Sequence, residues 1–178
     1  MLEAGRTLFL RDGVPRTGIN TVTSHAGVAR MTLYNNFASK NELILAVFER
    51  EAERRREAIK SAQQALKDPI ESVLTLFAVA LELASREGFR GCAFINLAVE
   101  TAAPDSALHK LAEQHKNWIY ENVRQHLSER IFAQAETLAK QICVLWDGGI
   151  VGAYVHQSSE PIVTARETAR ALMQSSAL

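Results

Sequence analysis

Apolar positions along the 178 residues recur at helical spacing, and polar punctuation separates one run from the next. Leu2, Leu8 and Phe9 share near-helical spacing and stop at Asp12-Gly13, with Pro15 just beyond, which predicts a first helix over 2–12. Thr17 is placed to cap a second helix over 19–26, which Gly27 would end in the left-handed conformation that glycine adopts cheaply. A third, short helix is predicted over 30–36. Ser39 lies three residues before Glu42, the spacing of a capping box. It opens a long helix over 40–62 with Leu43, Ile44, Val47, Phe48 and Ala52 on one side.

Downstream the same period continues. Pro69 suits the first turn of a helix that carries Val73, Leu74, Phe77, Leu81 and Leu83 to about residue 86. Gly88 and Gly91 interrupt, and "CAFINLAVE" predicts a shorter apolar helix. Pro104-Asp105 opens one through Leu108, Leu111, Trp118, Ile119, Val123 and Leu127, and segments 133–157 and 160–175 complete the set. No alternating run bounded by turns demands a strand, and no repeat stands out. The fold class read from the pattern is all-α.

Composition narrows the classes. A hydrophobic content of 47% with 22% charge fits a globular protein that can bury a core. The formal net charge of zero argues against a protein that coats nucleic acid indiscriminately. Its distribution is uneven: residues 1–60 hold ten Lys or Arg against seven Asp or Glu, and the remainder ten against thirteen. A mildly basic head is thus followed by a mildly acidic body. Cys92 and Cys143 fit no disulfide framework or zinc-ligand spacing, so no metal and no cofactor is expected and a reducing cytoplasm is the simplest home. No signal segment and no run of about 18 apolar residues occurs, so no membrane is expected. Because Leu2-Glu3-Ala4 already reads as helix interior, a segment preceding Met1 is also expected.

Two helices joined by a tight glycine turn are the plan of a helix-turn-helix, whose second helix enters the DNA major groove. In "ARMTLYNNF" the residues Leu33 and Phe37 would face inward, leaving Arg30, Met31, Thr32, Tyr34, Asn35 and Asn36 outward. Arg and Asn pair bidentately with guanine and adenine edges, while Thr, Tyr and Lys suit phosphate oxygens. The bland alternative is one ordinary turn of helix packing through Leu33, Tyr34 and Phe37. "EREAERRREAIK", residues 49–60, reads as a solvated helix face, with Glu51 and Arg55 at i,i+4.

"VTSHAGVARMTLYNNFASKNEL" resembles the signature of TetR-family transcriptional regulators, usually I-A-x-x-A-G-V-S-x-x-T-L-Y-x-H-F-x-x-K-x-x-L. Ala26, Gly27, Val28, Thr32, Leu33, Tyr34, Phe37, Lys40 and Leu43 match in register. The resemblance covers residues 2–48 in detail. It implies phosphate contacts from Thr32, Tyr34 and Lys40, base contacts from Arg30, Met31 and Asn35, and Asn20 opening the second helix near the groove. Thr17 and Asn36 complete the expected DNA-binding set. Three positions depart from the pattern: Thr23 stands for the usual Ala, Asn36 for the usual His, and Gly18 where Ser or Thr is common.

The same resemblance implies a three-helix helix-turn-helix head over residues 1–45 and a helical body over 46–178 that binds an effector and dimerises. In "LWDGGIVGAYV", Gly148, Gly149, Gly152 and Ala153 leave one helical side without bulk, and Ile162, Ala165, Ala169 and Leu172 form a stripe on the next helix. Together they resemble the family's dimer interface; small residues equally serve packing within one chain. Phe77, Cys92, Asn96, His115, Trp118 and Trp146 are the candidates for contact with a small-molecule effector, set against a core role for each. Some family members sense electrophiles through a cysteine, which leaves Cys92 either reactive or inert.

The reading is a homodimeric, effector-responsive regulator, more in keeping with a repressor, that binds double-stranded palindromic operator DNA. The alternative is a dimeric DNA-binding protein without an effector. An enzyme is not expected, since the five histidines show no HExxH or similar spacing.

Overall fold

The computed structural model describes residues 1–101, 103–128 and 134–176. These residues form nine α-helices and no strand: α1 (Leu2–Asp12), α2 (Ile19–His25), α3 (Arg30–Tyr34), α4 (Lys40–Gln63), α5 (Pro69–Ala84), α6 (Ala93–Glu100), α7 (Ala107–Ser128), α8 (Ala135–His156) and α9 (Glu160–Ser175). The all-α reading holds. The expected start of the eighth helix at residue 133 lies outside the described residues.

Local chemistry accounts for most boundaries. Gly13 ends α1 at φ 90°, a value that penalises any side chain. Asp68 caps α5 by accepting from the Ile70 amide at 3.0 Å, with Pro69 in the first turn. Ser39 Oγ accepts from the Glu42 amide at 3.1 Å, and the Glu42 carboxylate answers one residue early, accepting from the Ala38 amide at 2.7 Å. Other boundaries differ from expectation, among them the end of α3 at Tyr34 where 36 is expected. α7 opens at Ala107 because Ser106 Oγ accepts from the His109 amide at 3.2 Å. The N-cap of α2 is Gly18 without a side-chain bond, since the Thr17 hydroxyl turns back and donates to the Gly13 carbonyl at 2.7 Å.

The chain divides into two compact units, Met1–Arg55 with Ala93–His115, and Arg56–Cys92 with Lys116–Leu178. The division therefore falls inside α4 and α7. The physical reason is that α6 belongs with the N-terminal helices: Phe94 meets Phe48 edge-on at 5.9 Å, and Glu100 accepts from the Val14 amide at 2.9 Å. In this first unit α1 and α4 approach closely. A Cβ on Gly5 would lie 3.0 Å from Val47 Cγ2. Glu51, almost fully buried, accepts from Arg6 and from Arg55, each at 2.7 Å. Residues 49–60 are thus a solvated face only in part, because a buried carboxylate needs such partners.

In the second unit α5, α8 and α9 pack together over Val73, Leu74, Phe77, Ile142, Trp146, Ile162 and Met173. Trp146 donates its ring N–H to the Leu76 carbonyl at 3.2 Å, which satisfies the polar atom of a buried indole. The small residues of α8 are spent here. A Cβ on Gly149 would lie 3.0 Å from Ala165 Cβ and 3.2 Å from Ile162 Cα, and one on Gly152 would lie 2.9 Å from Pro161 Cβ. Gly149, Ala153, Ile162, Ala165 and Ala169 are buried within the chain, and Leu172 packs against the same core. The stripe assigned to a dimer from sequence is the α8–α9 contact, and Gly148 is the member left exposed.

Gly149→Ala is expected to lower the unfolding free energy by about 1–3 kcal/mol, since the two helices must part to admit a methyl. The measurement is the urea midpoint at an unchanged m-value; a midpoint equal to wild type would mean the close approach is dispensable.

Candidate nucleic-acid interface

The interface is built around a turn. Gly27 takes φ 65°, the Gly27 amide donates to the Ser24 carbonyl at 3.2 Å, and the Val28 amide donates to the Thr23 carbonyl at 3.1 Å. These bonds end α2 and redirect the chain into α3. α2 buries Val22 and Thr23, and the Thr23 hydroxyl donates to the Asn20 carbonyl at 3.1 Å. A threonine therefore fits where alanine is usual, its polar atom satisfied on its own helix.

Only Leu33 of α3 is buried, and it is fully so. Arg30, Met31, Thr32, Tyr34, Asn35 and Asn36 surround it on the exposed side, and Phe37 is half-buried. Met31 is 68% exposed, an apolar side chain offered outward among hydrogen-bonding ones. In the major groove such a group suits a thymine methyl. Arg30 lies across Tyr34, its guanidinium carbon 5.5 Å from the ring centroid and one N–H donating to the phenol oxygen at 3.5 Å. One amide proton of Asn36 is committed to the Thr32 carbonyl at 2.7 Å. Asn20 is exposed at the start of α2. The structure brings seven of the nine expected DNA-binding residues to the surface of this head.

The other two, Thr17 and Lys40, are less exposed. Thr17 is buried, with its hydroxyl on the Gly13 carbonyl, so it shapes the turn between α1 and α2 and cannot offer that hydroxyl to a phosphate. Lys40 is half-buried, and its ammonium donates to the Val14 carbonyl at 2.9 Å. Burial holds its pKa below the usual lysine range. Glu100, which meets the same residue, was not singled out in the sequence; it is 86 positions from Val14, and no local pattern announces such a contact.

The six effector candidates do not assemble into one site within either unit. Asn96 and His115 belong to the first, where His115 is buried and stacked on Phe94 with ring centroids 3.7 Å apart. Phe77 and Trp146 lie in the core of the second unit. Trp118 carries Arg56 at 5.7 Å and Lys60 at 6.0 Å from its ring centroid. Cys92 is half-buried. Burial, and the Asp147 carboxylate next, push the Cys143 thiol up to about 12, partly opposed by Lys116, so that thiol stays protonated near neutrality. Among the described residues no cluster of His, Cys, Asp or Glu could hold a metal ion, and no helix is long and apolar enough to cross a membrane.

Comparison with known proteins agrees with this geometry. Residues 1–47 match the family model for bacterial regulatory proteins of the tetR family, and residues 69–168 match the C-terminal domain of LmrA/YxaF-like transcriptional regulators. The chain is 26% identical over 170 residues to the HTH-type transcriptional regulator LmrA of Bacillus subtilis, covering 92% of this chain and 89% of that protein. Its fold is similar to that of a TetR-family transcriptional regulator from Streptomyces coelicolor, with a TM-score of 0.93, 22% identity, and coverage of 99% and 88% of the two chains. It is also similar to reduced NemR of Escherichia coli, with a TM-score of 0.84, 20% identity, and coverage of 94% and 92%.

Because nothing lies within 4 Å of a Cβ built on Gly27, the cost of a side chain there comes from the backbone alone. Gly27→Ala is expected to destabilise the protein by about 1–2 kcal/mol, and Gly27→Asn by less, since Asn tolerates left-handed φ better. Thermal unfolding of the two variants checks the order; equal midpoints would contradict it.

Proposed function

The chain belongs to the TetR family of bacterial regulatory proteins, and from that premise we propose that it binds a palindromic operator as a homodimer and releases it when a small molecule binds. It is a DNA-binding transcriptional regulator and not an enzyme. The observation that carries the operator reading is the one-sidedness of α3: one buried leucine holds it, and six neighbouring side chains suited to bases and phosphates point away from the core. A single α3 touches only a few base pairs, so two heads about 34 Å apart are needed to read an operator.

The surface that supports the dimer shares Gly148 with the set expected from the sequence and adds three valines. Val144, Gly148, Val151 and Val155 lie at i, i+4, i+7 and i+11 along α8 and are all exposed. That spacing puts them on one face, and an exposed apolar face of this kind marks an interface. Gly148, with open space around its Cβ position, would let a second helix come close. The match of residues 69–168 to the LmrA/YxaF-like C-terminal domain supports an effector-responsive body, and the habit of the family supports a repressor. An effector that favours one state by about 1–3 kcal/mol would make a useful switch.

The test is a gel shift with DNA flanking the protein's own gene, at two salt concentrations and with a panel of small metabolites. Specific, competitor-resistant binding that one metabolite abolishes is expected. Arg30→Ala and Asn35→Ala should each cost about 1–3 kcal/mol and relax discrimination at one base position. No specific binding to any flanking DNA would end the operator reading, and binding that no metabolite alters would favour a DNA-binding dimer without an effector. Val151→Glu combined with Val155→Glu should give a monomer by sedimentation and weaken operator binding by about 100-fold; a variant that remains dimeric would refute the assigned interface.

A further inference from the structure

We propose that Lys40 and Glu100 form a positioning clamp on the Val14 peptide, through which the end of α6 sets the entry of the chain into the helix-turn-helix. The inference rests on the operator reading above for its functional consequence, though the clamp itself is measurable without DNA.

Val14 has both of its backbone groups held by charged side chains. Its amide donates to Glu100 Oε2 at 2.9 Å, and its carbonyl accepts from Lys40 Nζ at 2.9 Å. The two side chains come from different helices, Glu100 from the last position of α6 and Lys40 from the first position of α4. Hydrogen bonds with one charged partner are shorter and stronger than neutral ones. The Val14 side chain is itself buried, so its peptide belongs to the packed turn and needs partners there.

The placement of the two charges is an independent pointer. A helix favours anions at its N-terminus and cations at its C-terminus. Glu100 stands at the C-terminal end of α6 and Lys40 at the N-terminal end of α4, so each faces the unfavourable pole of its own helix. Helix-pole energetics oppose both placements, and the Val14 peptide gives each side chain a partner there.

The clamped residue is well placed to act on the head. Gly13 carries φ 90°, and its carbonyl takes the Thr17 hydroxyl at 2.7 Å, which ties the turn from residue 13 to residue 17 into one piece. α2 begins two residues later, at Ile19, and α2 packs on α3. Fixing Val14 therefore fixes the approach to α2, and a movement of Glu100 would be passed to the turn first. Val14 and Glu100 also line a groove of about 490 Å³ with Asn41, Leu45, Thr101 and Ser106, so opening the clamp exposes the Val14 amide to water. On this assignment Lys40 positions the head and does not contact a phosphate.

Amide exchange of Val14, followed by NMR on the full-length protein without DNA, reads the clamp directly. Glu100→Leu and Lys40→Met should each speed that exchange by about tenfold, the size of a lost hydrogen bond to a charged group. Glu100→Gln, which keeps an acceptor, should retain most of the protection and remains interpretable if the other variants fold poorly. In operator titrations over a salt series, Glu100→Leu and Lys40→Met should weaken binding by about tenfold without changing the slope of log K against log salt, and the double variant should be about as weak as the weaker single one. A fall of about 0.9 in slope for Lys40→Met, with Glu100→Leu binding as wild type, would identify Lys40 as a phosphate contact and overturn the clamp. Unchanged Val14 exchange in both variants would overturn it as well. If the wild-type protein binds no operator, the operator reading falls on its own, and the exchange measurement still decides whether the clamp exists.

Discussion

A five-residue helix does not hold itself together in water, because nucleation costs more than so few hydrogen bonds return. α3 exists because Leu33 is fully buried and because the Gly27 turn delivers the chain at the right angle. Everything the head can do to DNA depends on that single anchorage. With one side chain inside, the rest of the helix is free of core duty, and Arg30, Met31, Thr32, Tyr34 and Asn35 are left on the surface. The shortness of α3, which looks like weakness in isolation, is what leaves its surface available.

The first compact unit supports this anchorage with buried charge as well as with apolar packing. Glu51 is gripped by Arg6 and Arg55, tying α1 to α4, and Val14 is gripped by Lys40 and Glu100. Buried or half-buried charges are costly unless paired, and for that reason they define a geometry more sharply than methyl groups do. The same unit takes in Ala93–His115, so the structural surroundings of the helix-turn-helix include residues far downstream in the sequence. Phe94, between Phe48 and His115, is the apolar counterpart of Glu100 in that return.

α8 shows how one composition can be read two ways. Glycines clustered within one turn of helix announce that something comes close, but they do not say whether it is another part of the chain or another copy. Gly149 and Gly152 are filled from within by Ala165, Ile162 and Pro161. The exposed valines one stripe round the helix, at 144, 151 and 155, share that stripe with Gly148, and in the sequence they look like part of the same apolar run. Their exposure becomes visible only once α9 has covered the neighbouring face.

The helices, their order, the Gly27 turn and the outward set on α3 were legible in the amino-acid sequence because each depends on residues within a few positions of one another. Apolar period, caps and a left-handed glycine are local properties, and the match of "GVARMTLYNNF" to a recurrent signature adds register to them. Thr17 and Lys40 looked like DNA contacts for the same reason: residue type and position suited the role, and nothing local ruled it out. Tertiary structure adds partners that no local pattern announces, by bringing the Gly13 and Val14 carbonyls within reach of their polar atoms. It likewise decided which face of α8 is interior, that Phe77 and Trp146 are core, and that Glu100 meets Val14 across 86 positions. Those outcomes depend on which distant surfaces meet when the chain closes on itself, and a one-dimensional pattern holds no record of that choice.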